Sequence, residues 1–584
     1  MQDQEDSMPL KEKDVLKLLV DGPTLQQLTN SISEELRKRI SPPAVGEVLV
    51  ALQDKEYVFL EEGRWWRTPE GVSYLDKLLA DELVDQEAHA KETRYGRLSV
   101  LAGMLTQGSN DLIFALVLSF AVLLLKLSYA FGYLVPGWDS TVYLLNARRF
   151  LYGWDPFSFF ELLRPPLLPN IVSELWKVFG ETYWITMSIQ PIFTVAAGLV
   201  LYLVVREMFD WKTAMLSLFM FLFNPTVFKW TNQLLTHGVE LFFVLLSIFF
   251  AWRTYSESAT RDLLPKYVYP ALVGSLAGLA SLARYPALMF LPAVLVLVLR
   301  REIVWNVRWI MICGLGFILP WSYWLRWNMT YANGDAFASV KAAFQVGAFR
   351  GPAEVQTAVD PWHIYITGLP QLITVVGVAL LLAGILSKEN FRNKKTLVFL
   401  SWFAIATGVG FVLENKAVRF MTDWFPAISV LMALGIARIQ KKLNFRPKAA
   451  FNILIAAWLI YLVWSTTVLA TADLNESNGS PQKEFPTVVS WVTTNMAKTD
   501  IGVSDLYTPQ LNYFAKRLFY SYDYVREVSM VRGITIQEAM AQLSVTYVIA
   551  TPSLIEHYNL DKTSYLMMHK KFENFVVYAF VRTG

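Results

Sequence analysis

The chain has 584 residues, of which 54% are hydrophobic and 17% are charged, with a formal net charge of +3 and one cysteine. So much apolar side chain cannot be buried in one soluble core, so a purely water-soluble class is excluded and lipid is the expected solvent for most of the chain. The single cysteine excludes an intrachain disulfide framework and a cysteine metal site.

Residues 1–95 form the first predicted unit. Three segments with helical periodicity precede a two-strand pattern in residues 56–71, and this order predicts a winged-helix-like domain. Residues 1–99 contain 20 acidic and 13 basic side chains. Because a non-specific DNA binder must neutralise phosphates, this balance disfavours nucleic acid and favours a regulatory role or a cytoplasmic protein partner for the domain.

The predicted transmembrane domain covers residues 96–475. Eleven of its stretches are apolar enough to cross about 30 Å of hydrocarbon as helices. They are roughly residues 111–133, 184–205, 213–229, 236–252, 268–283, 286–299, 308–326, 366–386, 396–413, 420–437 and 450–470. The fifth and sixth read as one stretch broken at Arg284, Tyr285 and Pro286, because proline favours a turn there.

The distribution of lysine and arginine predicts the orientation. These residues collect in five alternate connecting loops, which we therefore place in the cytoplasm. The polar, acidic N-terminal region is expected on the same side, with external loops at 134–183 and 327–365. We expect a multi-pass protein of the cell membrane with its C-terminal region outside. Three sequons, at Asn328, Asn475 and Asn478, fall in the predicted external segments, where a glycan can be added.

Residues 476–584 form the third predicted unit, an external small α/β domain. Helical segments at 488–496 and 535–543 alternate with strand-like segments at 500–505, 545–551 and 574–583. The unit has no glycine-rich phosphate loop and no nucleophile elbow. We therefore expect it to shape the substrate site or support folding.

The first external loop is richer in charge than a connector needs to be. Asp139 lies just after the first span, at the start of a predicted amphipathic helix over residues 140–152. A carboxylate at the membrane edge can accept a proton from an acceptor hydroxyl or amine, or ligate a divalent cation. The alternative is that Asp139 caps the helix.

The residues after Asp139 form a recognisable order. Arg148 and Arg149 end the segment Asn-Ala-Arg-Arg, and Arg164 begins Arg-Pro-Pro-Leu-Leu-Pro before a second apolar helix. This order resembles the first external loop of the GT-C glycosyltransferases, especially the branch of the protein O-mannosyltransferases and the lipid A aminoarabinose transferase. The resemblance covers the layout of residues 111–470. It implies a polytopic α-helical membrane enzyme with the GT-C-like fold.

The resemblance also implies an activity. Such an enzyme moves a sugar, with inversion, from a polyprenyl-phosphate donor to a protein or glycolipid acceptor at the outer membrane face. Asp139 would then be the catalytic base, and Arg148, Arg149 and Arg164 would be candidate substrate contacts. Membrane lipids would be further partners of such an enzyme.

A second segment matches the family with a departure. Thr236 fits the family's Thr-Asp or Thr-Glu step, but His237 stands where an acid is usual, and Glu240 follows one turn later. His237 and Glu240 are therefore candidates for a second site, and His237 can serve as a metal ligand or a hydrogen-bond partner. A divalent metal cofactor bound by Asp139 and His237 is left open, as is a purely structural histidine at the interface.

A third segment, residues 414–420, precedes a span containing Pro426. It resembles the segment with which the family meets a lipid-linked phosphate. Arg419 would bind that phosphate, because a guanidinium matches phosphate oxygens with two parallel hydrogen bonds. Lys416 is the predicted helper and Arg284 a second phosphate contact. The alternative is that these basic side chains extend to the lipid interface.

Two other functional classes fit eleven spans. A transporter or lipid flippase would place ionisable residues near the membrane midplane and show internal repeats, and no repeat is evident here. A membrane-anchored regulator would use the winged-helix-like domain on DNA, which its acidic balance opposes.

Overall fold

The computed structural model describes residues 49, 52, 58–61, 64–67, 109–153, 164–256, 264–299, 303–331, 334–343, 363–386, 393–412, 418–505 and 507–581. The chain divides into two compact units, residues 1–112 and 113–584. In the first unit, strands β1 (Val58–Glu61) and β2 (Arg64–Arg67) pair antiparallel, as the two-strand pattern predicts. The helices predicted for residues 1–95 lie almost entirely outside the described residues.

The second unit begins with a helical region that has fifteen described α-helices up to residue 477. They are α1 (Ser109–Ala130), α2 (Trp138–Tyr152), α3 (Leu167–Phe179), α4 (Tyr183–Met208), α5 (Trp211–Leu222), α6 (Pro225–Trp230), α7 (His237–Ser256), α8 (Tyr269–Ala283), α9 (Leu291–Val298), α10 (Ile303–Tyr331), α11 (Ala338–Ala342), α12 (His363–Ile385), α13 (Lys394–Val412), α14 (Phe425–Lys442) and α15 (Phe445–Ser477). A π-helix (Leu264–Val268) precedes α8, and 3₁₀ helices precede α9 (Tyr285–Phe290) and α14 (Val418–Trp424).

Among the described residues, eight helices are long and apolar enough to cross a membrane. They correspond to α1, α4, α7, α10, α12, α13, α14 with its 3₁₀ helix, and α15. Each of the eleven predicted spans falls on a helix. The third, fifth and sixth spans are covered by shorter helices, of 12, 15 and 8 residues in their α-helical parts.

The third predicted span, residues 213–229, is wrong as a single helix. Helix α5 ends at Leu222, and α6 starts anew at Pro225. Pro225 has no backbone N–H to continue the ladder, and the Asn224 side chain caps α6 by accepting hydrogen bonds from two backbone amides. Lys126 of α1 donates to Phe228 O at 3.1 Å, which ties the end of α6 to the first span.

The predicted break between the fifth and sixth spans is confirmed. Helix α8 ends at Ala283, and Arg284 is extended, with φ −159° and ψ 122°. The 3₁₀ helix Tyr285–Phe290 follows, with Pro286 in its first turn. The guanidinium of Arg284 is therefore placed by a sharp change of backbone direction at the end of α8.

Helices α8 and α10 approach each other closely at glycines. A Cβ atom built on Gly316 of α10 would lie 2.3 Å from the backbone oxygen of Ala271 in α8, whereas a Cβ on Gly314 meets nothing within 4 Å. Small residues of this kind let transmembrane helices pack backbone to backbone.

The two glycines provide a matched pair for mutation. Gly316→Ala should lower the thermal unfolding midpoint, because the added methyl group pushes α10 away from α8. Gly314→Ala, two residues earlier in the same helix, should leave it unchanged or raise it, since alanine favours a helix by about 1 kcal/mol over glycine. Thermal unfolding in detergent checks both, and equal behaviour of the two variants would show that the close contact is unimportant.

The C-terminal region is a small α/β domain after helix α16 (Ser480–Asn495). Its strands are β3 (Ile501–Ser504), β4 (Leu518–Ser521), β5 (Val545–Ala550), β6 (Leu566–Lys571) and β7 (Val576–Phe580), in the sheet order β4-β3-β5-β7-β6. Strand β3 pairs parallel with β4 and β5, while β7 pairs antiparallel with β5 and β6. Strands β4 and β6 are absent from the sequence prediction, because β4 has only four residues and the three apolar residues of β6 are consecutive and do not alternate with polar ones.

Four helices complete this domain: α17 (Thr508–Ala515), α18 (Tyr522–Arg532), α19 (Ile536–Gln542) and α20 (Pro552–Tyr558). Helix α17 packs on α2, the helix that carries Asp139. The Gln510 side chain donates to Pro136 O at 3.2 Å, just before α2 begins. The C-terminal domain therefore supports the segment in which the candidate base lies.

The three sequons differ in accessibility. Asn328 is fully buried, and its amide nitrogen donates to Ala336 O at 3.0 Å and Ser339 Oγ at 2.8 Å. Asn478 donates to Gly132 O at 2.7 Å. Asn475 is exposed. Asn475 is therefore the most accessible asparagine of the three, and the side chain of Asn328 has no access to solvent in the folded chain.

Candidate functional site

Helix α2 presents Asp139 in its first turn. The N-cap residue is Gly137, and no side chain caps the helix. Asp139 therefore does not act as the cap. A carboxylate in the first turn is nevertheless favoured by the partial positive charge at a helix N-terminus.

Two arginines hold the Asp139 carboxylate, one on each oxygen. Arg164 Nη2 donates to Oδ1 at 2.6 Å, and Arg419 Nη1 donates to Oδ2 at 2.8 Å. Arg164 lies immediately before Pro165 and Pro166, which lead into α3, and Arg419 lies in the 3₁₀ helix before α14. We name these three residues the Asp139 cluster, and it joins segments that are far apart in the sequence.

The charges around Asp139 decide its ionisation. Burial raises the pKa of Asp139, but the neighbouring charges of Arg164 and Arg419 outweigh burial and hold the pKa below its ordinary value. Asp139 is therefore ionised at neutral pH. The stability that these pairs contribute is present above the ordinary pKa of an aspartate and is lost as the pH falls through the lowered one.

A second group of charges, the His237 cluster, lies at the same end of the helices. It consists of His237, Glu240, Arg284 and Asp423, each with a side chain at most 15% exposed. His237 Nδ1 lies 3.0 Å from Asp423 Oδ1, and Arg284 Nη1 donates to Asp423 Oδ2 and, at 3.5 Å, to Glu240 Oε2. The cluster therefore contains one guanidinium between two carboxylates.

The backbone fixes His237 at the start of α7. Gly238 N donates to Gln190 Oε1 of α4 at 2.8 Å. A Cβ atom at Gly238 would lie 2.5 Å from Thr194 Oγ1, so the close approach of α7 to α4 requires glycine. His237 is consequently held between α4 and the 3₁₀ helix that carries Asp423.

Asp423 is a member of the site that the sequence analysis missed. It lies four residues after Arg419, and its side chain is 8% exposed. The available signal was an acidic residue in an otherwise apolar span, since ionisable residues at such positions usually have a function or a partner.

The aromatic side chain of Phe420 joins the two clusters. The guanidinium carbons of Arg284 and Arg419 lie 5.1 Å and 5.3 Å from the centroid of the Phe420 ring. Tyr143 of α2 lies beside Arg164, whose guanidinium carbon is 5.7 Å from its ring centroid. The clusters are therefore parts of one site, which contains three carboxyl groups and three guanidinium groups.

Arg148 contacts protein groups on all sides. Its Nε and Nη2 bind Glu181 Oε1 at 2.7 Å and 2.5 Å, and its Nη1 donates to Tyr513 O at 2.7 Å. The guanidinium carbon stacks 3.8 Å from the centroid of the Tyr513 ring. This geometry gives Arg148 the role of a tether between α2 and helix α17. Arg149 is the next residue of α2, and its guanidinium carbon lies 5.7 Å from the centroid of the Trp327 ring. Lys416, the predicted phosphate helper, lies outside the described residues.

The tether can be tested separately from the site. Arg148→Ala should lower the thermal unfolding midpoint, because hydrogen bonds to charged groups contribute about 1.5–3 kcal/mol each. Arg532→Ala, which removes an exposed arginine that donates to the Gln542 side chain in the C-terminal domain, is the control and should change it little. An unchanged midpoint with a raised substrate KM would instead make Arg148 a substrate contact.

The His237 cluster contains side chains of the kinds that bind metal ions. One ligand atom each from His237, Glu240 and Asp423 lies within 4.8 Å of the others, and nitrogen with carboxylate oxygen is a suitable set for zinc. Arg284, however, occupies both carboxylates with its own positive charge. Asp139 is not part of this group. With Arg284 in place the four residues do not fit a divalent cation.

Comparison with known proteins gives a family model and a set of folds. The model of the dolichyl-phosphate-mannose-protein mannosyltransferase family matches residues 163–327. Among curated proteins, no sequence matches the chain. The matched segment includes Arg164, His237, Glu240 and Arg284.

Three solved structures share the fold at low identity. The oligosaccharyltransferase AglB from Archaeoglobus fulgidus, in complex with an inhibitory peptide and a dolichol-phosphate, is 15% identical, with a TM-score of 0.52 over 74% of this chain and 69% of that one. The same enzyme in complex with zinc and sulfate is 16% identical, with a TM-score of 0.51 over 79% and 73%. ArnT from Cupriavidus metallidurans, bound to undecaprenyl phosphate, is 12% identical, with a TM-score of 0.54 over 80% and 97%.

The fold shared with AglB and ArnT is the GT-C fold, and the matched family model is that of a glycosyltransferase. The chain is thus a multi-pass membrane protein with the GT-C fold, and residues 163–327 match the model of a glycosyltransferase family. The resemblance noted in the sequence is confirmed at this level.

Proposed function

We propose that the protein transfers a sugar from a polyprenyl-phosphate donor to an acceptor at the outer membrane face, with inversion at the anomeric carbon. The observation that carries the proposal is the Asp139 cluster, in which a carboxylate lies between two guanidinium groups at the end of the helices. The cluster brings together a group that can take a proton and groups that can hold a phosphate. The polyprenyl phosphates bound to AglB and ArnT support the same class of donor.

Arg419 is the proposed phosphate ligand. It lies at the start of the α14 span, its side chain is 32% exposed, and a guanidinium stays charged beside lipid. Lys416, three residues earlier, is the proposed helper. Arg284 binds both carboxylates through Nη1, so a phosphate contact by Arg284 would use the other nitrogen atoms of its guanidinium.

Donor binding would change the state of Asp139. In the chain without donor, the Asp139 carboxylate is the anion that accepts a hydrogen bond from Arg419. A donor phosphate competes for the same guanidinium, and its negative charge offsets the cation that lowers the pKa of Asp139. The pKa should then rise towards its ordinary value, which makes Asp139 a better proton acceptor. The base is thus activated when the donor is present.

The reaction follows from this arrangement. The acceptor oxygen or nitrogen forms a bond to the anomeric carbon while the bond from that carbon to the phosphate oxygen breaks. The acceptor proton passes to Asp139, and polyprenyl phosphate leaves with the electron pair of the broken bond. Arg419 stabilises the negative charge that develops on the phosphate, as fixed cations do in transition states.

The orientation is part of the proposal. The five alternate loops rich in lysine and arginine support a cytoplasmic N-terminus, with the site and the C-terminal domain outside. In a Cys313→Ala background, Met530→Cys in the exposed part of α18 should react with a membrane-impermeant thiol reagent added to intact cells. Reaction only after the membrane is opened would reverse the orientation.

Cells with and without the gene provide the test of the activity. Without it, one species of polyprenyl-phosphate sugar should accumulate, and one surface glycan should lack the corresponding sugar, as measured by mass spectrometry. Restoring the wild-type gene should reverse both changes, and an Asp139→Asn gene should reverse neither. Identical lipid-linked sugars and glycans in the two cell lines would overturn the proposed function.

A further inference from the structure

The His237 cluster combines a possible set of metal ligands with a bound cation. His237, Glu240 and Asp423 are buried and offer three ligand atoms within 4.8 Å of one another, so small side-chain movements would bring all three onto one zinc ion. The same carboxylates already bind the guanidinium of Arg284. A buried carboxylate pair needs a cation close by, because two uncompensated charges in this position are costly.

Arg284 is well placed to be that cation. Its backbone is extended at the end of α8, so its side chain is directed by the break between α8 and the following 3₁₀ helix. Its Nη1 lies 3.3 Å from His237 Nδ1 in addition to its bonds with the carboxylates. One nitrogen atom of the guanidinium is therefore close to all three ligand residues.

The positions of these four side chains indicate which group supplies the positive charge in the cluster. We propose that the Arg284 guanidinium takes the place of a divalent cation in the His237 cluster, so that the wild-type chain binds no metal there and removal of Arg284 opens a zinc site. His237, Glu240 and Asp423 would be the three protein ligands, and a fourth position would be left for water. Metal binding does not require a sugar donor, so this inference stands or fails separately from the proposed function.

Zinc binding by the purified full-length chain is the test. The protein is stripped with a chelator in detergent, titrated with Zn²⁺ alone, and its retained zinc is counted by elemental analysis. Arg284→Ala should retain about one equivalent more than the wild type, with an affinity on the order of 100-fold higher or more, because a like charge has left the site. The double variant Arg284→Ala with His237→Ala should return to the wild-type level, which separates this site from zinc on the other histidines.

Arg284→Met is the second variant, since its apolar side chain fills space that alanine leaves empty without supplying a charge. Zinc should raise the thermal unfolding midpoint of Arg284→Met and leave that of the wild type unchanged. The inference is overturned if the wild type holds an equivalent of zinc that His237→Ala removes. It is equally overturned if neither Arg284 variant gains zinc. Should both variants fail to fold, the wild type compared with His237→Ala still decides whether a metal and Arg284 occupy the cluster together.

Discussion

Asp139→Asn should lower the rate of sugar transfer by about 10²- to 10⁴-fold, the usual contribution of a general base. Asparagine has nearly the same shape but cannot take the proton of the acceptor at neutral pH. It also leaves Arg164 and Arg419 without the carboxylate charge that both now bind. The measurement is the initial rate of transfer by purified protein at saturating donor and acceptor.

The control for Asp139→Asn is Glu174→Gln on helix α3, in the same predicted external loop. Glu174 is exposed and forms an ion pair with Lys177 one turn away on α3. Because such surface pairs contribute little, the Glu174→Gln variant should transfer sugar at a rate within about twofold of the wild type. Because loss of a paired charge can also unfold a protein, each variant is first compared with the wild type by its thermal midpoint. A folded Asp139→Asn variant that transfers sugar at the wild-type rate would remove Asp139 from the mechanism.

Arg419→Ala should weaken donor use more than acceptor use. The lost charge-assisted hydrogen bonds are expected to cost about 1.5–3 kcal/mol, or roughly ten- to 150-fold in the donor KM. Arg419→Lys should recover part of this loss, because lysine keeps the charge but not the two parallel hydrogen bonds. Steady-state kinetics with donor and acceptor varied in turn provide the measurement.

The same variant should shift the pH dependence of the rate. With Arg419 gone, the burial of Asp139 is opposed by Arg164 alone, so the pKa of Asp139 rises. The acidic limb of the kcat/KM profile should therefore move to higher pH, with the rate still lost as the pH falls. Lys177 is an exposed cation on α3. Its replacement in Lys177→Ala should change neither the donor KM nor the pH of the acidic limb of the kcat/KM profile. A rise of the acceptor KM alone would move the phosphate site elsewhere.

Most of the helical layout could be predicted from the sequence, because a long run of apolar residues has few alternatives in a membrane. The break at Arg284 could be predicted from Pro286. Helix α2 could be predicted from the spacing of its apolar residues. The division between α5 and α6 was missed, although Asn224 followed by Pro225 is a known signal for a new helix start.

The site was only partly predictable. Asp139, Arg164 and Arg419 were each selected in the sequence, but nothing in their spacing shows that both guanidinium groups bind one carboxylate. That contact depends on how the segments that carry Asp139, Arg164 and Arg419 pack together in the folded chain. The same reason applies to Arg284, whose partner Asp423 lies 139 residues away and was not selected. Pairing across such separations is set by helix packing, which a single sequence does not encode in any local pattern.

The most direct test of the account is the reaction itself. Purified full-length protein in lipid nanodiscs is mixed with a panel of polyprenyl-phosphate sugars and the glycans isolated from cells that lack the gene, and released polyprenyl phosphate is measured together with the glycosylated product. The account predicts that one donor yields the two products in equal amounts and that Asp139→Asn yields neither. Transfer of the sugar at an undiminished rate by folded Asp139→Asn protein, or product formed with no release of polyprenyl phosphate, would contradict it.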